Sequence, residues 1–473
     1  MKKVIEKCKQ LYNKETPLKI EWIIFGIIAF VMLISFYYID FRSLTIWTTN
    51  IWDCIADGDI TQYYVYTSFN IYNVPHQFVS GTLYSLIIWA IWNFPIWGIQ
   101  RYMGKAIVNN AFLLLWSKLF LVLALGITLF FTYKICKELF KDNKKSLWIT
   151  YLAATFIFTY IGVFYAGQND ILICMLAVLG LYFLIKEKNL WFYIFSALAI
   201  SVKYFYLIAY IPIILLTEKK IWKIFLKIGV GILPIFIFKL LVGDFPMYSI
   251  SEKSNFSNIL MNGLLGGGIV AANGANISFF IVTLITSCFM AYIIKPNSKE
   301  KRNNYIFYFS VVPFMLMFMF STYYEFYRPI LLMPMLMILY GFKPEIFRIN
   351  IILDTVLSIV SLLIFPMCDS HMFMAEISMN TTIIAKLMKV KQVPSVTLYD
   401  IYTKLFNENI GLVKNIGITI FFAILAILIV INYPKFNIKK EERDKPEKTE
   451  RWIIWVRSLI VVPVLMFLLI NIK

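Results

Sequence analysis

Asp170 and Lys203 are the residues of this chain best placed to do chemistry. Each sits at the end of a membrane-length apolar segment, in AGQND (166–170) and SVKYFY (201–206). A charge at the bilayer centre costs roughly 2.5–3.5 kcal/mol even on the lenient insertion scale, so ionisable residues there are usually functional. Lys203 offers a compact positive charge for a phosphate at the membrane surface, or snorkels to the interface. Asn169 and Asp170 fit a helix start, where the macrodipole favours a carboxylate. With Gln168 they also suit a cavity wall that holds a sugar or orients a cation opposite. Glu325 and Arg328, in STYYEFYRP (321–329), are three apart and share a helix face. They can pair with each other, or Arg328 can clamp a phosphate in bidentate fashion.

Further polar residues crowd the stretch after the first apolar segment, where Asp40, Asp53, Asp57 and Asp59 precede a tyrosine run. A carboxylate there can act as general base toward a hydroxyl. One suffices when the leaving group is a phosphate, whereas a glycosidase needs a defined pair. Capping of short helices is the competing role, as in ADGD (56–59). His371 and Asp369 lie together in CDSHMF (368–373), and His76 is the only other histidine. Neither histidine has metal-ligand spacing around it, and no metal or cofactor is expected. Cys54 and Cys368 fall on the same side and would be bridgeable if adjacent. GLLGGGIVAANGANIS (263–278) lacks a GK[ST] ending, so it is a lid or packed turn and not a P-loop.

The elements that must position these residues are apolar helices. The chain has 473 residues, 60% hydrophobic and 18% aromatic, against about 45–50% apolar in soluble domains. Its apolar runs have helical length and lack the ten-residue alternation of a barrel. The expected segments are 20–39, 109–133, 147–166, 170–185, 190–202, 204–217, 224–242, 276–294, 304–320, 329–342, 350–367, 413–432 and 452–471. A net charge of +18 does not indicate nucleic acid, because the basic residues cluster in short loops beside apolar segments. The first of these segments is too long for a signal h-region and lacks a small-residue cleavage site, so it reads as an anchor.

Residues 83–99 decide the topology. With this segment lying on the outer surface, 29 of the 45 Lys and Arg residues fall inside and 11 outside. The positive-inside rule prefers that arrangement. It gives about thirteen spans in an all-α polytopic membrane protein, with the N-terminus cytoplasmic and the C-terminus outside. The outer segments 40–108, 243–275 and 368–412 are long, and long loops in a compact protein are usually functional. Chemistry is therefore expected on the extracytoplasmic face of a plasma membrane. The abundance of Lys, Ile and Asn points to an AT-rich bacterial genome.

WDCIADGDITQYY (52–64), FYAGQNDILICML (164–176) and ALAISVKYFYLIAYIPIILL (197–216) carry a resemblance. Together with the long first outer loop, they make residues 20–242 resemble the GT-C superfamily of integral membrane glycosyltransferases. The polyprenyl-phosphate-sugar-dependent branch, which includes mycobacterial lipid mannosyltransferases, is the nearest in pattern. The resemblance implies a catalytic module over 1–242, with juxtamembrane helices on the outer face, and a variable acceptor-reading module over 243–473. It implies inverting transfer of a hexose, such as mannose, from a polyprenyl phosphate to an extracytoplasmic glycan or lipid-linked acceptor. Asp53, which follows a tryptophan, or Asp59 would be the base. Lys203 would face the lipid phosphate, and Gln168, Asn169, Asp170, Glu325, Arg328 and His371 would line the substrate site. Some relatives carry histidine where this chain has Glu325. Two rivals remain: a polysaccharide polymerase or ligase using lipid-diphosphate glycans, and a lipid-linked-sugar transporter. Few arginines outside speak against the first, and the lack of an internal repeat against the second.

Overall fold

An apolar run in a bilayer must satisfy its own backbone N–H and C=O groups, which a helix does within one segment. The computed structural model follows that rule. It describes residues 16–68, 83–104, 110–248, 264–265, 267–270, 274–321, 325–368, 383–387, 397–435 and 448–470. The first part contains α1 Lys19–Ser35, α2 Ile39–Ala56, α3 Tyr63–Ser68, α4 Leu83–Met103, α5 Ala111–Phe140, α6 Asn143–Ala154 and the short α7 Ile157–Thr159. A π-helix, Tyr160–Tyr165, continues α7. There follow α8 Asp170–Ile185, α9 Asn189–Val202, α10 Leu207–Thr217 and α11 Ile221–Val242. The second part contains α12 Phe279–Ile293, α13 Lys299–Phe320, α14 Met333–Gly341, α15 Phe347–Cys368 and α16 Ile383–Leu387. It ends with α17 Leu398–Phe406, α18 Ile410–Ile431, α19 Lys448–Leu459 and α20 Val462–Ile470.

Most of each expected apolar segment falls on helix, although 20–39 and 147–166 are broken and 276–294 begins on a strand, and the expected count of thirteen spans is not reproduced by length. Among the described residues five helices are long and apolar enough to cross a membrane: α5, α11, α13, Pro344–Cys368 and Leu398–Ile431. The number rises to seven if each of two bent pairs counts as one span. One pair is α1 and α2, bent by 70°; the other is α6 and Ile157–Tyr165, bent by 52°. Asp170–Ile185, Asn189–Val202, Tyr204–Thr217, Phe279–Ile293 and Arg328–Gly341 are apolar but shorter. α4 is outside the crossing set and packs along α2 and α5.

Side-chain contacts define two ends. At one, Glu138 meets Lys186 at 2.6 Å, Glu187 meets Lys299 at 2.7 Å, and Lys219 donates to the carbonyls of Ala291 and Tyr292. Asn350 and Asn432 exchange hydrogen bonds at the same helix termini, 3.0 and 2.8 Å long. The opposite ends of these helices gather Asp40, Gln168, Asp170, Lys203 and the segment from Glu325. The expected division at residue 242 does not separate two cores. α14 packs on α5 and α6, α12 and α13 pack on α10, and a single apolar cluster runs through both parts.

One departure from all-α is a two-stranded antiparallel ribbon, β1 Gly268–Val270 with β2 Asn276–Ser278, within the glycine-rich stretch. Gly268 permits it, because a Cβ there would stand 2.0 Å from the Ile277 carbonyl oxygen. Ser278 then caps α12 by accepting from Ile281 N–H. The bridge between Cys54 and Cys368 is absent, since Cys54 is a buried free thiol.

The C-terminal helices are pinned by charge. Arg451 Nε lies 3.1 Å from Glu21 Oε1, both side chains being buried, and Trp455 Nε1 donates to the same oxygen at 2.6 Å. Removing one partner of a buried pair strands the other charge. Arg451→Met should therefore cost roughly 3–5 kcal/mol, read as a lower melting temperature in detergent, and adding Glu21→Gln should restore most of the loss. A single variant that melts like the parent would mean the pair carries no such penalty.

Candidate functional site

Four segments converge where helices break. The first is the turn 36–38, after which α2 opens with Asp40 in its first turn. The second is the π-helix followed by Ala166–Asp170. π-Helical turns occur disproportionately at functional sites. Gly167 adopts φ +62°, and a Cβ there would lie 2.9 Å from three atoms of the Phe41 side chain. Only glycine allows both this turn and the approach of α2. The third segment is the corner between α9 and α10. Lys203 ends α9 in extended conformation, φ −152° and ψ 138°, and Tyr204–Tyr206 forms a 3-10 turn. The fourth runs from Glu325 into the 3-10 turn Arg328–Leu332.

Lys203 Nζ donates to both carboxylate oxygens of Asp170, each at 3.0 Å. The Asp170 side chain is fully buried, and that of Lys203 is 23% exposed. An ammonium has three donors, so the bidentate pair leaves one to face the opening. Arg328 is buried with its guanidinium 4.9 Å from the Phe205 ring centroid. Its Nη2 stands 3.6 Å from Glu325 Oε1, an ion pair longer than a hydrogen bond. Phe205 lies two residues after Lys203, so Arg328 packs on the same corner between α9 and α10.

Asp40 Oδ2 accepts from Gln168 Nε2 at 3.0 Å, with Tyr327 Oη at 3.5 Å. Burial, reinforced by the charges of Glu325 and Asp40, raises the Tyr327 phenol well above its usual range, so it is a protonated donor. The same tyrosine also feels Arg328 and Asp170, which ties the two halves of the cluster together. Asn169 Oδ1 is buried without a hydrogen-bond partner among the described residues. Such an orphan acceptor costs about 1–3 kcal/mol unless something donates to it.

The structure therefore gathers Gln168, Asn169, Asp170, Lys203, Glu325 and Arg328, and adds Asp40 and Tyr327. Sequence reading named Asp40 but passed over it for its neighbours, and Tyr327 was hidden in a tyrosine-rich segment. Asp53 and Asp59 lie elsewhere. Thirteen helical residues separate Asp53 from Asp40, about 20 Å along α2 at 1.5 Å per residue. Asp53 is buried and accepts from Trp97 Nε1 at 2.8 Å and Arg101 Nη1 at 3.3 Å, locking α2 to α4. Arg101 also reaches Asp57 at 2.7 Å. Asp59 is exposed and caps the turn Ile60–Gln62, where hydrogen bonds from Thr61 hold its carboxyl below the usual range. His371 and His76 lie outside the described residues. Among the described residues no three His, Cys, Asp or Glu side chains are grouped to hold a metal ion.

Gly167→Ala should destabilise the protein by roughly 1–2 kcal/mol from the left-handed backbone alone, with the Phe41 clash added. Gly98→Ala, in α4 with nothing within 4 Å of the new Cβ, is its control; it should be neutral or slightly stabilising. Thermal unfolding of the two variants measures the contrast, and equal melting temperatures would remove the constraint claimed for Gly167.

No family model, curated protein or solved structure matches this chain.

Proposed function

We propose that this chain is an inverting membrane glycosyltransferase that moves a hexose, such as mannose, from a polyprenyl phosphate to an extracytoplasmic glycan or lipid-linked acceptor. One observation carries the proposal: a carboxylate that accepts from Gln168 and Tyr327, Asp40, lies on segments that meet those bearing two cations, Lys203 and Arg328. Base and cations are what such a transfer requires. The sequence resemblance to the GT-C superfamily supplies the reaction class.

In the proposed reaction the acceptor hydroxyl oxygen attacks the anomeric carbon from the face opposite the phosphate. Asp40 takes the hydroxyl proton. The anomeric C–O bond breaks, its electron pair leaves with the polyprenyl phosphate, and the configuration inverts. Lys203 and Arg328 offset the charge gathering on that phosphate, commonly the largest catalytic contribution. Asp170 aims Lys203, and Asn169 Oδ1 accepts from a sugar hydroxyl. Gln168 and Tyr327 hold Asp40. Geometry favours Asp40 for the base over Asp53 and Asp59, whose carboxylates serve α4 and a turn.

The membrane arrangement belongs to the same proposal. Thirteen passes place the N-terminus in the cytoplasm and the cluster at the extracytoplasmic face of the plasma membrane. The alternation of helix ends between the two contact sets supports it, as does the apolar exterior of α11, where Phe225, Leu226, Phe236, Leu240 and Leu241 face outward. A lipid donor then enters sideways, leaving its tail in the bilayer.

The test is label transfer by the purified protein in nanodiscs, offered radiolabelled polyprenyl-phosphate hexoses and membrane glycan extract. Label should move to a new product. Asp40→Asn should lower the rate by about 10²–10⁴-fold, while Asp53→Asn and Asp59→Asn retain turnover. Loss in either of those two with Asp40→Asn active would reassign the base. Elongation from lipid-diphosphate glycans alone would replace the transferase with a polymerase or ligase.

A further inference from the structure

Lys118 is a fully buried lysine in the third turn of α5, in AFLLLWSKLF (111–120). Its ammonium donates to the carbonyl oxygens of Phe36 and Phe164 and lies 5.5 and 5.9 Å from the Tyr37 and Phe41 ring centroids. Both carbonyls sit at helix breaks. Phe36 is the C-cap of α1, at the 70° bend into α2. Phe164 is near the end of the π-helix, and Gln168 N–H, which a continued helix would aim at Phe164, turns to Gly162 O at 3.0 Å. Each carbonyl would be an orphan acceptor in an apolar interior, and one ammonium satisfies both.

The positions of these carbonyls matter more than their number. Phe36 precedes Asp40 by four residues, and Phe164 precedes Gln168 by four. Asp40 and Gln168 are the two residues that hydrogen-bond at 3.0 Å. The adjacent Ser117 extends the fastening: its Oγ meets Thr45 Oγ1 of α2 and accepts from Asn93 and Trp89 of α4, each at 3.0 Å.

We infer that Lys118 is a positioning residue, whose ammonium clamps two helix breaks so that Asp40 meets Gln168. Its catalytic consequence rests on the proposed transferase; its positional consequence does not. The experiment introduces Asp40→Cys with Gln168→Cys and oxidises the membrane-embedded protein with copper–phenanthroline. Mass spectrometry then quantifies the 40–168 linked peptide. An Asn350→Cys with Asn432→Cys pair, at the opposite end of the molecule, is the control. Lys118→Met should cut the 40–168 linkage about tenfold or more, as expected for two lost buried hydrogen bonds, and leave the 350–432 linkage unchanged. Lys118→Gln keeps N–H donors on a shorter side chain and should fall between; it decides the matter alone if Lys118→Met does not fold. The inference is overturned if the 40–168 linkage persists in the variants, or if both linkages fall together. With Asp40 and Gln168 intact, Lys118→Met should lower kcat for transfer with KM for the donor near the parent's. Linkage lost as expected in a protein without transferase activity would keep the clamp and sink the transferase.

Discussion

A lysine amino group in an apolar helix bundle needs oxygen around it, and backbone carbonyls are free to offer it only where helices are interrupted. Lys118 and the breaks at Phe36 and Phe164 answer each other in this way. Without the breaks the lysine would be a buried donor lacking partners; without the lysine the breaks would leave carbonyls unsatisfied. This mutual requirement fixes three helices at one level, and the polar cluster is built on that level. The bend after α1 turns α2 aside by 70°. The π-helix shifts the register of Gln168 relative to α6. Gly167, pressed against Phe41, leaves little freedom between them.

Charge elsewhere in the interior follows the same logic of local compensation. Asp170 with Lys203, Glu21 with Arg451, and Asp354 with Arg457 are pairs with at least one wholly enclosed member. The Arg457 guanidinium also donates to Leu152 O at 2.7 Å and lies 5.6 Å from the Phe156 ring centroid. Buried pairs contribute little net stability over apolar substitutes. Their effect is on register: α19 can seat against α1, α6 and α15 in one way that leaves no charge unmatched. The difference at the cluster is access. Arg457 and Asp354 are closed off on every side, whereas Lys203 keeps an exposed edge.

Length and apolarity made the helices legible. The segment 170–185 was read with the bounds of α8, and Lys203 was placed at the corner where α9 ends. Gln168, Asn169, Asp170, Lys203, Glu325 and Arg328 were singled out because polar residues at the ends of apolar runs are conspicuous. What sequence concealed was direction. The 36–38 break, in FYY (36–38), contains neither glycine nor proline, so nothing marks Asp40 as the start of a new helix instead of the end of an old one. Asp53 and Asp59 stand out beside a tryptophan and in the turn signal ADGD, yet Asp59 caps that turn and Asp53 ties α2 to Trp97 and Arg101 of α4. Lys118 carried a signal, a charge inside an apolar run, but its partners are carbonyls, which composition does not show. The ribbon at Gly268 was invisible because three-residue strands have no periodicity to read.

On the proposed reading, the pairing of Lys203 with Asp170 bears on selectivity. A bare cation at the membrane surface would take any small anion. Here the ammonium is already held by two carboxylate oxygens, so a phosphate gains only the remaining donor and the difference in charge. Coulomb energy between unit charges 4 Å apart is about 4 kcal/mol at an effective dielectric of 20, and the bound carboxylate has offset much of it. A free phosphate has nothing further to add. A phosphate carried on a lipid brings its tail, and burying apolar chain contributes about 0.8 kcal/mol per CH₂. The site is thus weak toward the anion and strong toward the anion with its anchor, which suits a donor that never leaves the membrane.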